Sequence, residues 1–142
     1  MVIVYLLALV STTIACTRVP SSAKDAFCAA DLVSKIKVIS FHEQANNSYT
    51  SDSAYYVRHR LVYKKPHDYD TSPSAHIVYT PSDSSCGLRM EVGKDYLLTG
   101  YRCVGNMHVY RCHQVNDRYL SGAIEWSTVS EELRESLKTF QC

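Results

Sequence analysis

The sequence contains no Cys-x-x-Cys pair, and none of its six histidines stand four residues apart. A structural zinc site needs the first pattern and a helical zinc-hydrolase site needs the second. Cys112-His113 alone builds no metal centre, and the chain is expected to have no cofactor of its own. There is also no nucleophile elbow and no glycine-rich phosphate loop, so an enzymatic role is not expected. A strong charge of one sign is missing as well: the formal net charge is +1. Binding a phosphate backbone or an anionic surface needs clustered Lys and Arg, so nucleic acid is not an expected partner. The densest basic stretch, Arg58-His59-Arg60 with Lys64-Lys65, reads as the solvated face of a strand. No internal repeat or low-complexity tract appears, and no second domain is needed.

Long apolar runs are confined to the start of the chain. Residues 2–10 (VIVYLLALV) are followed by small and polar residues ending in Thr13-Ile14-Ala15. That run is too short to span a bilayer, and it has the form of a secretory signal with a small-residue cleavage site. Residues 1–15 are therefore expected to be removed, leaving residues 16–142 as one secreted, extracellular, monomeric domain without a membrane anchor. All six cysteines (Cys16, Cys28, Cys86, Cys103, Cys112, Cys142) lie beyond that point. An even number in an oxidising compartment implies three disulfides. Asn46-Asn47-Ser48 is a glycosylation sequon in a polar stretch.

Five runs have strand character. Leu32–Phe41 alternates imperfectly, which suggests a strand with a bulge. Ala54–Lys64 is rich in aromatic and β-branched residues and stops before Pro66. His76–Thr80, Tyr96–Arg102 and Met107–His113 are bounded by Pro81, Gly100, Gly105 and Asn106. Val129–Phe140 is an amphipathic helix with Val129, Leu133, Leu137 and Phe140 on one face, and Thr128-x-x-Glu131 stands before it as a capping box. Five strands, turn-rich connections and a terminal helix suit a small, mainly β closed barrel of the oligonucleotide/oligosaccharide-binding type. Trp126 and the many tyrosines read as barrel packing.

A set of short motifs then follows in order. Cys16-Thr17-Arg18-Val19-Pro20 begins at the expected cleavage point, and Ala26-Phe27-Cys28 and Asp31-Leu32-Val33 come next. Tyr79-Thr80-Pro81 leads to Cys86-Gly87, and after it come Tyr96-Leu97-Leu98-Thr99-Gly100, Met107-His108-Val109 before Cys112, and a closing Cys142. No single element is decisive, but together they resemble the amino-terminal inhibitory domain of the tissue inhibitors of metalloproteinases. The resemblance covers essentially all of residues 16–142. It implies the netrin-like form of the five-stranded barrel, with flanking helices, and the disulfides Cys16–Cys86 and Cys28–Cys142. Contacts that the family makes through its carboxy-terminal cysteine-rich subdomain are not carried over. The family has a second cysteine two residues after the first, where this chain has Arg18. Cys112 matches the usual partner of that missing cysteine, and a local hairpin disulfide Cys103–Cys112 preserves an even count.

The resemblance also implies a mechanism. A metalloproteinase zinc keeps an open position for water or substrate. With Cys16 as first residue, its α-amino nitrogen and carbonyl oxygen would chelate the target's zinc, while its disulfide holds the chain start rigid. Thr17 would enter the primed-side pocket, Arg18, Val19 and Pro20 would continue along the primed side, and Asp83, Ser84 and Ser85 would lie on the unprimed side. The expected partners are matrix metalloproteinases or related zinc endopeptidases. The alternative is a non-inhibitory netrin-like module that binds an extracellular protein or glycan, and Arg18 in place of the family cysteine is what favours it.

Overall fold

The computed structural model describes residues 22–43, 52–72, 75–82, 85–116 and 122–142. The β-branched and aromatic runs form β1 (Leu32–His42), β2 (Asp52–Lys64), β3 (His76–Pro81) and β4 (Asp95–Cys103). Two short strands follow, β5 (Asn106–His108) and β6 (Ile124–Glu125). β1 pairs antiparallel with both β2 and β4, β2 pairs with β3, β3 runs parallel to β5, and β5 returns to β4. The five strands thus close into a mainly β barrel, and β6 adds a short antiparallel pairing to β4.

β1 shows why its alternation is imperfect. Its register against β2 shifts at three places, so the expected bulge is present and the strand can curve enough to pair on both sides. Its first half is also buried on both faces: Leu32, Ile36 and Val38 fill the barrel, whereas Val33 belongs to a second apolar layer outside it. That outer layer is made by α1 (Ala23–Ala29) and α2 (Glu131–Leu137) packing Phe27, Leu133 and Leu137 onto Val33, Leu97 and Val115. Trp126 joins the same layer, stacked near Tyr63 with Lys35 and Arg134 over its ring, which is a packing role.

Both helices are short and depend on their ends. The Ser22 hydroxyl caps α1 by accepting from the Asp25 amide at 3.1 Å, and the Lys64 ammonium donates to the Phe27 and Cys28 carbonyls at 3.0 Å each. α2 begins two residues later than the expected capping box. Ser130 is its cap, accepting from the Leu133 amide at 3.1 Å, and Glu131 and Glu132 occupy the first turn. Thr128 instead closes a short 3-10 turn (Trp126–Thr128), its hydroxyl donating to the Glu125 carbonyl at 2.8 Å. A disulfide joins Cys28 on α1 to Cys142, as expected, with Cα atoms 5.4 Å apart, and the Phe27 and Phe140 rings meet at 5.2 Å.

The strand expected over Met107–His113 stops at His108 because a side chain takes over the pairing. Buried Gln114 accepts from the Thr99 amide and donates to the Thr99 and Tyr110 carbonyls, all at 2.9 Å. Its amide group thereby stands in for a strand backbone beside β4. Gly100, next along β4, is closely packed: a Cβ there would lie 2.9 Å from the Met107 sulfur, so the Met107 side chain would have to shift to admit one.

Candidate functional site

The segment that follows β3 is anchored from both sides. Buried Thr80 accepts a hydrogen bond from the Leu88 amide at 2.8 Å, and the Ser53 and Ser82 hydroxyls meet at 2.9 Å. Leu88 is itself sealed in the barrel core, so the chain from Pro81 to Gly87 leaves and re-enters at fixed points. Ser85 is exposed, and its hydroxyl lies 4.0 Å from the Cys86 sulfur. The Arg111 amide donates to the Cys86 carbonyl at 2.9 Å, Gly87 bridges to Tyr110, and the Gly122 amide donates to the Arg111 carbonyl at 2.9 Å. Residues 85–87 and 110–112 therefore form one laced edge at the end of the barrel. Burial raises the Tyr110 phenol above its usual range, and the nearby Cys103, Asp52 and Cys86 add to the effect.

Of the residues singled out from the sequence, Ser85 lies on this edge. Cys16, Thr17, Arg18, Val19, Pro20, Asp83, Ser84 and Asn46 lie outside the described residues.

The disulfide pattern departs from the expected one. Cys103 is an exposed thiol, so the hairpin disulfide Cys103–Cys112 is not formed. The reason is geometric: β4 and β5 set Cys103 opposite Asn106, while Cys112 lies past the end of β5 and is buried at 5 % exposure. A disulfide needs Cα atoms within about 7 Å and facing Cβ vectors, and closeness in sequence does not supply that. Cys112 is a half-cystine whose partner lies outside the described residues. Cys86 carries a thiol, which differs from the expected pairing Cys16–Cys86.

Among the described residues, no group of three or more His, Cys, Asp or Glu could hold a metal ion. No described helix is long and apolar enough to cross a membrane.

The structure also separates His59 from the arginines beside it. Arg58 and Arg60 are exposed, whereas the His59 ring turns toward Ser34, with Nδ1 2.8 Å from the Ser34 hydroxyl. Strand alternation between Arg58 and Arg60 is the signal in the sequence that points to this inward side chain. His76 and Tyr69 close over it, with ring centroids 5.0 and 5.8 Å away. Burial, and then the neighbouring His76, lower the His59 pKa to about 4; burial also lowers His76, against a smaller opposing pull from Asp70. Burial raises the Tyr69 phenol, with Arg102 opposing. A histidine whose folded-state pKa lies below the unfolded value near 6.5 binds its proton better when the chain is unfolded. The stability it contributes is fully present above about pH 6.5 and is lost as pH falls toward 4. Denaturant titrations should show a fall on the order of 2 kcal/mol for this group across that window. His59→Phe should flatten the slope, and an unchanged slope would remove His59 as its source.

The family model for the tissue inhibitors of metalloproteinases, described as "Tissue inhibitor of metalloproteinase", matches residues 14–140. The chain is 32 % identical to a Caenorhabditis elegans protein, tag-225, that carries a metalloproteinase-inhibitor name, with 99 % of this chain and 96 % of that protein covered. It is 32 % identical to metalloproteinase inhibitor 3 of Gallus gallus over 70 % of this chain and 46 % of that protein. It is 29 % identical to metalloproteinase inhibitor 2 of Homo sapiens over 87 % of this chain and 54 % of that protein. The match thus spans about half the length of these vertebrate relatives and nearly all of the nematode one. The chain belongs to the tissue inhibitor of metalloproteinase family, a family of non-enzymatic protease inhibitors.

Proposed function

We propose that this chain is a secreted inhibitor of zinc endopeptidases of the matrix metalloproteinase class. It acts through a processed chain start at Cys16, whose α-amino nitrogen and carbonyl oxygen form a five-membered chelate with the target's catalytic zinc. Thr17 fills the primed-side pocket beneath that zinc. Arg18, Val19 and Pro20 extend along the primed side, Pro20 keeping its predecessor extended, and Asp83, Ser84 and Ser85 cover the unprimed side. The single observation that carries this reading is the family match running from residue 14 to residue 140, which takes in Cys16 and the laced edge together.

The amine ligates metal only without its proton. An α-amino pKa near 8 makes deprotonation cost about 1 kcal/mol at neutral pH, which coordination exceeds. Rigidity matters more, because ordering a loose terminus on binding would consume affinity. Cys16 is the one cysteine outside the described residues, and Cys112 needs a partner there. We therefore assign the tether to Cys16–Cys112 in place of Cys16–Cys86. The Arg111 amide bonded to the Cys86 carbonyl keeps that anchor on the same edge as Ser85.

The test is an active-site titration. Protein confirmed by mass to begin at Cys16 should reduce the activity of a matrix metalloproteinase catalytic domain stoichiometrically at nanomolar concentrations, about −12 kcal/mol of binding. Full activity at micromolar inhibitor would overturn the proposal and favour the non-inhibitory module.

A further inference from the structure

The barrel interior is polar around His59 and His76. His59 stands opposite Ile36 of β1, and His76 opposite Val57 of β2; Ile36 and Val57 both fill the barrel, so the two imidazoles leave their strands on that side. Tyr69 reaches the same place from the connection that follows β2, and packs against the barrel cluster. Its backbone is pinned. The Tyr69 amide donates to the Pro66 carbonyl at 3.0 Å, the Lys65 ammonium donates to the Tyr69 carbonyl at 2.8 Å, and the Asp68 carboxylate next to it accepts from the Arg102 guanidinium at 2.8 Å.

Among the described residues, four buried side-chain polar atoms have no hydrogen-bond partner, and three of them are His59 Nε2, His76 Nε2 and the Tyr69 hydroxyl oxygen. The three rings are mutual neighbours, with centroids 5.0, 5.1 and 5.8 Å apart. A buried polar atom without a partner is destabilising, so three on touching rings call for one occupant that all three can bind. Ser34 prepares His59 for it. The Ser34 hydroxyl has the Leu61 and Lys35 carbonyls at 3.2 and 3.3 Å to receive its proton, and its oxygen then accepts from His59 Nδ1–H at 2.8 Å. His59 Nε2 is left with a bare lone pair, the arrangement that supporting hydrogen bonds impose on metal-ligating histidines.

Ring spacing separates an ion from a water molecule. Two imidazoles bound to one zinc ion at about 2.0–2.1 Å with a tetrahedral angle have centroids about 5 Å apart. Two imidazoles hydrogen-bonded to one water at about 2.9 Å with the same angle have centroids about 6.5 Å apart. The His59 and His76 centroids are 5.0 Å apart.

We infer that His59, His76 and Tyr69 hold one divalent transition-metal ion of the zinc type, with the two Nε2 atoms as nitrogen ligands and the Tyr69 oxygen as the third, its proton passing to solvent on binding. The third donor is a phenol in place of a carboxylate or thiol, and a water completes the four-coordinate shell. The ion ties β2, β3 and their connection together, and it is distinct from the zinc of any target. No local sequence pattern signals it, because strand pairing and not chain order brings the two histidines together.

Zinc titrated by calorimetry into the metal-free chain beginning at Cys16 should bind at one ion per chain with a dissociation constant of about 1 µM or below, and the denaturant midpoint should rise with zinc and fall back on chelation. His76→Phe, which keeps a ring in place, should weaken binding about a hundredfold or more. Tyr69→Phe should weaken it about tenfold and, having lost a buried hydroxyl without a partner, should unfold in chelator at an equal or higher midpoint than the wild type. Should His76→Phe fail to fold, Tyr69→Phe carries the test. Zinc uptake that survives these variants and vanishes on alkylation of Cys86 and Cys103 would place the ion on the thiols and overturn the inference. No uptake by the wild type would leave the three atoms to water and overturn it as well. No proteinase enters these measurements, so failure here leaves the inhibitor reading standing.

Discussion

A single alanine placed before Cys16 is expected to abolish inhibition, weakening it on the order of a thousandfold or more, while leaving the unfolding midpoint unchanged. The extra residue converts the α-amine of Cys16 into an amide, whose nitrogen lone pair is delocalised into the carbonyl and does not ligate zinc. The five-membered chelate is lost, and the new terminal amine lies one residue, about 3.8 Å, further along the chain. The fold has no reason to change. The barrel closes through β1 and β4, the outer layer is held by α1, α2 and Cys28–Cys142, and the Cys112 half-cystine keeps its bond. A stability effect would show that the chain start is part of the fold, and an inhibitor of undiminished potency would show that the zinc is not engaged by this amine. Acetylating the wild-type terminus should reproduce the loss without adding a residue, which separates chemistry from length.

The barrel was legible where one physical rule governed each residue. Val57, Val78 and Leu98 lie in stretches whose β-branched and aromatic content marks them as strands, and each proves fully buried. Legibility failed where tertiary partners replaced local ones. Met107–His113 has strand composition throughout, yet its last residues lose their ladder because the Gln114 side chain supplies the pairing that Thr99 needs, and no periodicity encodes that exchange. α1 spans seven residues with one fully buried side chain, Phe27, too short to show a helical period, and it holds through Ser22 at one end and Lys64, distant in sequence, at the other. The candidate edge was legible only in part for the same reason. Thr80, Ser85 and Cys86 stand out as motif or candidate residues, but Ser53 and Arg111, which help to fix that edge, are ordinary in sequence and act only through the barrel's closure. The cysteines show the limit most sharply, since Cys103 and Cys112 are near neighbours in the chain while one is exposed and the other buried.

Replacing both Cys28 and Cys142 with Ser is expected to cost about 4–5 kcal/mol of stability, read as a lower denaturant midpoint at nearly unchanged slope. The bond closes a loop of sequence separation 114, and constraint on the unfolded chain grows with the logarithm of loop length, so this staple lies near the upper end of the usual range. Its neighbours do not make it redundant. The Phe27–Phe140 contact and the Lys64 ammonium on the Phe27 and Cys28 carbonyls join the same elements, but each is a modest interaction that exists only while α1 is already docked. α1 also begins three residues after Pro20, so a frayed α1 would give residues 16–20 a moving base even with the Cys112 bond intact. The double variant should therefore inhibit more weakly at temperatures where it is still folded, with the deficit growing toward its lowered midpoint. A cost below about 1 kcal/mol would show that the apolar layer alone fixes α1, and undiminished inhibition would show that the chain start does not depend on it.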